Sequence, residues 1–194
     1  MKKKYIGLML LCFILGACTG IFNHVQIADK EKYLVVALGE NGKYGYTDKD
    51  GKIVIEAKYD YAEDFSEGLA KVVMNEKYGY IDKRGKIVIQ PQYENAASFN
   101  EGLALVEVNG KWGYINKEGK IVIESQYDYG WDFSEGLAPV EIKGKCGYID
   151  KGGKIVIEPQ YDTVGHFSEG LARVEIKGKF GYIDKEGKMV EELQ

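Results

Sequence analysis

The chain has 194 residues, 45% hydrophobic and 29% charged, and its 30 acidic residues against 26 Lys and Arg give a net charge of −4. That length suits one domain, and an acidic chain offers no electrostatic footprint for nucleic acid, which removes that class of partner. Three cysteines and two histidines are too few for a disulfide framework or a histidine-rich metal centre, and no cofactor is expected.

The N-terminus stands apart from the rest. Lys2, Lys3 and Lys4 precede an apolar run from Tyr5 to Leu15, and Leu15-Gly16-Ala17-Cys18 follows. A basic start and an apolar run shorter than a bilayer needs describe a secretory signal peptide over residues 1–17. Leu-Gly-Ala-Cys resembles the lipobox of bacterial lipoproteins, in which the signal is cut before the cysteine and that cysteine carries the lipids. The resemblance implies that Cys18 is the lipidation site of an exported protein, anchored to the membrane at the cell envelope by its lipids without spanning it. Three lysines and no acid leave with the leader, so the charge of −4 becomes −7. Residues 18–32 lack repeat features and read as a tether between lipid and folded body.

From there one segment recurs. KYGYTDKDGKIVI from Lys43, KYGYIDKRGKIVI from Lys77, KWGYINKEGKIVI from Lys111, KCGYIDKGGKIVI from Lys145 and KFGYIDKEGKMV from Lys179 start 34 residues apart each time. A period of this length marks a repeat architecture in which one unit cannot bury its own apolar face and packs on the next. Five units are expected over residues 33–190, with 191–194 as a C-terminal tail.

Each unit reads as three short antiparallel strands. Tyr33–Glu40 supplies the first strand of the first unit; in later copies, as in Ala104, Val106 and Val108, one face is constant and apolar while the other carries Leu105, Lys71, Pro139 or Arg173. Such alternation predicts a half-buried strand with the variable face outward. Asn41-Gly42 and Asn109-Gly110 predict type I′ hairpins, with Lys143-Gly144, Lys177-Gly178 and Asn75-Glu76 as weaker versions. The second strand holds a constant Gly-Tyr pair, and a glycine inside a strand permits a bulge or close backbone approach. Asp48, Asp82, Asn116, Asp150 and Asp184 then open turns closed by a glycine three residues on. The third strand, Ile121-Val122-Ile123 and its equivalents, is β-branched and stiff. A linker follows that is less clearly strand: Pro91 and Pro159 favour an edge or bend, and Tyr59, Tyr93, Tyr127 and Tyr161 with Phe65, Phe99, Phe133 and Phe167 are expected to plug the gap between units. The fold class expected is all-β, as an open repeat array, with a closed five-unit propeller-like ring as the alternative.

The Gly-Tyr pair preceded by an aromatic, the Asp-Lys-x-Gly-Lys turn and Phe-Ser-Glu-Gly-Leu-Ala resemble WG repeats, a bacterial β-rich family, over nearly all of the chain after the leader. Trp112-Gly113 alone carries the literal dipeptide. The resemblance implies an extracytoplasmic binding or structural role. It implies no enzyme activity.

No catalytic arrangement emerges from the residues themselves. His24 lies in the tether and His166 in one linker, which leaves neither a histidine pair nor a Ser/His/Asp set. Glu67, Glu101, Glu135 and Glu169 recur in the linkers, and a hydrolase using linker carboxylates is a distant alternative; their repetition points to capping a turn or bonding the next unit. Asp48-Lys49-Asp50-Gly51 resembles the start of a calcium loop but lacks further ligands and reads as a turn. Cys146, in a position held elsewhere by aromatics, reads as a core filler. Function is expected where copies differ: Tyr61, Asn95, Tyr129, Thr163; then Glu63, Ala97, Trp131, Gly165; then Asp64, Ser98, Asp132, His166. Tyr129 and Trp131 make the third linker aromatic, suited to a sugar ring or a peptide, unless Trp131 tucks against the neighbouring unit. The partners this suggests are a protein or a cell-wall glycan.

Overall fold

The computed structural model describes residues 33–192, and the signal peptide, Cys18 and the tether lie outside them. Among these residues the regular structure is entirely β-strand. The first sheet joins β1 (Val35–Leu38), β2 (Tyr44–Thr47) and β3 (Ile53–Tyr59). The second joins β4 (Tyr61–Ala62), β5 (Leu69–Met74), β6 (Lys77–Asp82) and β7 (Ile87–Tyr93), and the third β8 (Asn95–Ala96), β9 (Leu103–Val108), β10 (Lys111–Asn116) and β11 (Ile121–Tyr127). The fourth holds β12 (Tyr129–Gly130), β13 (Leu137–Ile142), β14 (Lys145–Asp150) and β15 (Ile155–Tyr161), and the fifth β16 (Thr163–Val164), β17 (Ala172–Ile176), β18 (Lys179–Ile183) and β19 (Met189–Glu192). All pairings are antiparallel between neighbours in sequence. The three expected strands of each unit are present, and in the second to fifth sheets the linker adds a two-residue strand at one edge.

The third strand runs on through the prolines, so Pro91 and Pro159 sit inside β7 and β15. Both are edge strands, where a missing donor faces no partner. Trp112 pairs with Tyr127 while Tyr114 pairs with Ile123, so the single residue Gly113 of β10 lies opposite three of β11. Gly113 sits at this bulge because the opposing backbone crosses over it: a Cβ there would lie 2.5 Å from the Ile123 carbonyl oxygen.

The turns follow their sequences except at the first hairpin. Asn75-Glu76, Asn109-Gly110, Lys143-Gly144 and Lys177-Gly178 all hold positive φ at both central positions, as type I′ requires. Asn41-Gly42 does not. Gly42 N–H donates to the Gly39 carbonyl and Gly39 N–H to the Lys43 carbonyl, the same pattern that closes residues 48–52, so this connection is a longer turn ending in a glycine bulge. Glu40 stands where Met74, Val108 and Ile142 end their strands, and it is exposed, so no apolar side chain pins the tighter turn. The Asn41 side chain instead bonds the Ala57 carbonyl and the Lys43 N–H. In consequence β1 is slipped by one residue, pairing Val36 with Tyr46 where the other units pair Lys71 with Tyr80 or Leu105 with Tyr114. A one-residue slip exchanges the two faces of a strand.

The core is divided into four clusters, one between each successive pair of sheets. Tyr46, Tyr59, Ala70, Val72 and Ile81 fill the first gap, and Tyr114, Tyr127, Phe133, Val140 and Ile149 the third. A sheet in the middle of the array is therefore buried on both faces. This corrects the expectation of an outward variable face: Leu105 and Pro139 are buried and the Lys71 side chain is 11% exposed. Among the described residues no strand pairing, hydrogen bond or ion pair joins the first sheet to the fifth, as befits an open array.

Candidate functional site

The recurring side chains are consumed by the joints between sheets. The hydroxyl of the constant tyrosine donates across each gap to a linker carbonyl: Tyr46 to Glu63 at 2.7 Å, Tyr80 to Ala97 at 2.6 Å, Tyr114 to Trp131 at 2.9 Å and Tyr148 to Gly165 at 2.7 Å. Burial pushes all four hydroxyls far above the usual tyrosine range, so they remain donors at any physiological pH. The acceptor is main chain in every case, which frees the side chain at 63, 97, 131 and 165 to vary.

The recurring glutamates make the second joint. Glu67, Glu101 and Glu135 each accept the N–H of the next sheet's glycine, Gly102, Gly136 or Gly170, at 3.0 Å. They also pair with the lysine fifty residues on, Lys117, Lys151 or Lys185, at 3.0–3.1 Å. For Glu67 and Glu101 burial acts to raise the carboxyl, but the lysine and N–H bonds outweigh it and hold the group below the usual range. Carboxylates so occupied are not available as general bases. The Asx turns are equally engaged: Asp48 Oδ1 accepts the N–H groups of Asp50 and Lys52 at 3.0 Å, which is turn chemistry and not a calcium loop. Among the described residues no group of three or more His, Cys, Asp or Glu is placed to hold a metal ion. Cys146 is buried and reduced, and burial raises its thiol, in keeping with a core filler.

What varies gathers at the linkers. Glu63 pairs with Lys71 at 2.9 Å and accepts the Ser98 hydroxyl at 2.9 Å, while Lys71 also donates to the Ala96 carbonyl at 2.9 Å. Burial raises the Glu63 carboxyl, and the bonds from Lys71 and Ser98 overcome that and lower it. Asp132, two linkers further, shows the opposite outcome. Burial raises its carboxyl, opposed only in part by the charges of His166 and Lys71, and it accepts no hydrogen bond among the described residues. Glu63, Lys71 and His166 are thus near enough to Asp132 for their charges to be felt across sheets, although Glu63 and His166 lie 103 residues apart in the chain.

Tyr129 and Trp131 lie in the third linker, between β11 and β13. Tyr129 is 42% exposed and Trp131 half-buried. Their rings meet edge to face at 4.8 Å, and Tyr129 meets Trp112 of the previous sheet at 5.1 Å. Trp131 contributes its carbonyl to the Tyr114 joint and leaves the indole partly open. Trp112 lies in the core, 8% exposed, and its place in this aromatic row is a signal the sequence does not carry. Sequence reasoning did not pair Glu63 with Lys71; the change to Leu105 and Pro139 at the equivalent of Lys71 was the available signal.

Residues 44–78, 78–112, 112–146 and 147–180 match the WG containing repeat, together covering well over half of the chain. The chain belongs to the WG-repeat family. No curated protein sequence matches it. Among solved structures the WG-repeat chain is similar to Hsv2p of Kluyveromyces lactis, at 9% identity and a TM-score of 0.54, over 78% of this chain and 58% of that one. A likeness at 10% identity to BamB of Moraxella catarrhalis has a TM-score of 0.49 and covers 82% of this chain and 57% of that one. The chain therefore spans less than two thirds of either structure, and the first likeness concerns the arrangement of sheets alone.

Proposed function

We propose that this WG-repeat chain is a non-enzymatic binding scaffold of the cell envelope, anchored through lipid on Cys18, which takes a protein or glycan partner at Tyr129 and Trp131. The observation that carries the reading is the division of labour just described. Repeated side chains are spent on joints between sheets, and the third linker presents an aromatic pair whose rings the fold does not need. A cell-wall polymer as the ligand is the narrower form of the same reading, since exposed aromatics on a rigid scaffold stack on sugar rings.

The test is retention of the purified chain on cell-wall sacculi and on a crosslinked envelope-protein fraction. Trp131→Ala is expected to reduce retention by at least tenfold, the scale of an interface hot spot of about 2 kcal/mol. Its thermal melt stays near wild type because the Trp131 carbonyl survives the substitution. A melt lowered as far as that of Tyr114→Ala places the indole in the core and removes the site. Anchoring is checked apart from binding: fatty-acid analogue labelling is expected for wild type and lost in Cys18→Ser, and an unlabelled wild type rejects it.

A further inference from the structure

The joint between successive sheets is a repeating set of complementary groups, and each outer face of the array holds one half of it. Glu67, Glu101 and Glu135 pair with the turn lysine fifty residues on. The Glu169 side chain is exposed and has neither an ion pair nor a hydrogen bond among the described residues. Fifty residues on from Glu169, carried back by five periods of 34, is Lys49. Lys49 lies in the first sheet's Asx turn, exposed and without an ion pair among the described residues. Lys83, the next lysine of that row, has Tyr33 of its own chain at the corresponding glutamate position.

A second pair of complementary groups adjoins the first. A Cβ built at Gly85, Gly119, Gly153 or Gly187 would lie 3.0–3.3 Å from the isoleucine that the preceding sheet seats there, whereas at Gly51 it would meet nothing within 4 Å. The fifth sheet carries Glu191, exposed, at the position of that isoleucine. Gly51 stands between Lys49 and Lys52, and Lys52 is likewise exposed and without an ion pair among the described residues. Two carboxylates of one outer face thus match two ammonium groups of the other. Arg173, the cation of the fifth sheet's face, is seated on its own Phe180 ring, 3.9 Å from the centroid.

Apolar surface flanks these charges on both faces. Leu69, Leu103 and Leu137 are 7–9% exposed beneath the following sheet, but Leu171 is 38% exposed. On the first sheet Val36 packs with Tyr46 in the core, so the slipped β1 turns Val35 and Ala37 to the outer face, opposite Thr47 and Gly45. Ala138 and Val140 hold the corresponding places on the fourth sheet, where they pack against the third.

From this complementarity we propose that the outer face of the fifth sheet docks on the outer face of the first sheet of a second copy, with Glu169 on Lys49 and Glu191 over Gly51 between Lys49 and Lys52. The contact is head-to-tail, so each copy keeps one face open and association proceeds by addition of further copies. Exposed ion pairs contribute little each and are screened by salt, so the association is weak and falls with ionic strength. The proposal goes beyond the binding reading above and does not depend on a ligand at Tyr129 and Trp131.

The experiment is carbodiimide crosslinking of the full chain in detergent, which joins a carboxylate to a lysine where the two touch. Copies grown in ordinary and in heavy-nitrogen medium are mixed, and mass spectrometry reads which peptides are joined and whether they come from one copy or two. Wild type is expected to give a Glu169–Lys49 link between copies, lost in Lys49→Gln and in Glu169→Gln. When the two variants are mixed, the link returns between Glu169 of the first and Lys49 of the second. Both melts stay at wild type, because both side chains are exposed and unpaired. Sedimentation equilibrium supplies a second readout: Lys49→Glu combined with Lys52→Glu is expected to abolish the concentration-dependent rise in mass. A wild type that stays a monomer at every concentration, a link found only within single copies, or Glu169 joined to surface lysines without preference overturns the proposal. So does a double variant that associates as wild type does.

Discussion

A glutamate at positive φ is strained unless something holds it, and the array shows what does. Glu67, Glu101 and Glu135 have φ near 50°, and each is tied to the next sheet by a glycine N–H and a lysine. Glu169 has the same φ of 53° but, among the described residues, neither a following sheet nor an ion pair. The pair gives a matched test of one joint. Glu101→Ala is expected to lower stability by about 1–2 kcal/mol, the value of a charge-assisted bond discounted for its partial exposure. Glu169→Ala is expected to change it by less than about 0.5 kcal/mol, as surface substitutions do. Equal losses in urea melts would mean that the glutamate acts within its own turn and not as a joint. The recurrence of this residue was legible in the sequence, and so was its structural role. Its partner was not, because a lysine fifty residues on belongs to a different turn in a different unit and no local pattern links them.

At the level of strands and turns, local chemistry predicted most of what formed. The Asx turns formed as read: each first residue accepts two N–H groups, and Gly51, Gly85, Gly119, Gly153 and Gly187 hold φ of 77–83°. Where the reading failed, the deciding contact was remote. Asn41-Gly42 has the dipeptide of a type I′ turn, but Glu40 removes the apolar strand end that sets the register, and Ala57 supplies a carbonyl for Asn41. The face carrying Leu105 and Pro139 looked solvent-exposed because its residues vary; it is covered by the following sheet, which a single strand cannot announce. The candidate site was legible as a pair of aromatics in the most divergent linker, whereas Trp112 joins it only through a ring contact between successive sheets. The glycine of the second strand offers the sharpest test of that register. Gly113→Ala places a methyl group 2.5 Å from the Ile123 carbonyl oxygen and 2.7 Å from the Ser125 nitrogen, both main chain and unable to rotate away. A loss of about 3 kcal/mol or more is expected, above the usual range for simple overpacking. Gly110→Ala, with open space but φ of 71°, is expected to cost only the left-handed penalty of about 1–2 kcal/mol. Urea melts that rank the two the other way would show that the β10–β11 bulge opens freely.

Taken as a whole, the array carries polar substitutions on the outer faces of its first and fifth sheets, which meet no other sheet among the described residues. Thr47 replaces the fully buried Ile81, Ile115, Ile149 and Ile183 on the first sheet. Glu191 and Arg173 replace the buried Ile157 and Pro139 on the last. Acid stability follows from the joints between these ends. Lysine and main-chain N–H bonds hold the carboxyls of Asp60, Asp128 and Asp162 below the usual range, and Glu67, Glu101 and Glu135 lie low as well. A carboxyl lowered by folding contributes stability that is complete above its unfolded value and disappears as pH falls through its folded value. Stability should therefore be level from neutrality to about pH 5 and fall progressively below about pH 4. Asp132 acts in the other direction. Burial raises its carboxyl, so between its unfolded and folded values the native state binds the extra proton, and stability is lost as pH rises through that interval. At pH 7 Asp132 is then a cost to the fold with no hydrogen bond to offset it. Asp132→Asn is expected to raise the urea midpoint at pH 7, and the advantage should vanish near about pH 3, where the wild-type carboxyl is itself neutral. An Asn variant less stable than wild type at pH 7 would show that the charges of His166 and Lys71 hold this carboxylate in place. A more stable variant would leave Asp132 as a charge kept in the converging linkers at the expense of the scaffold, as binding surfaces require.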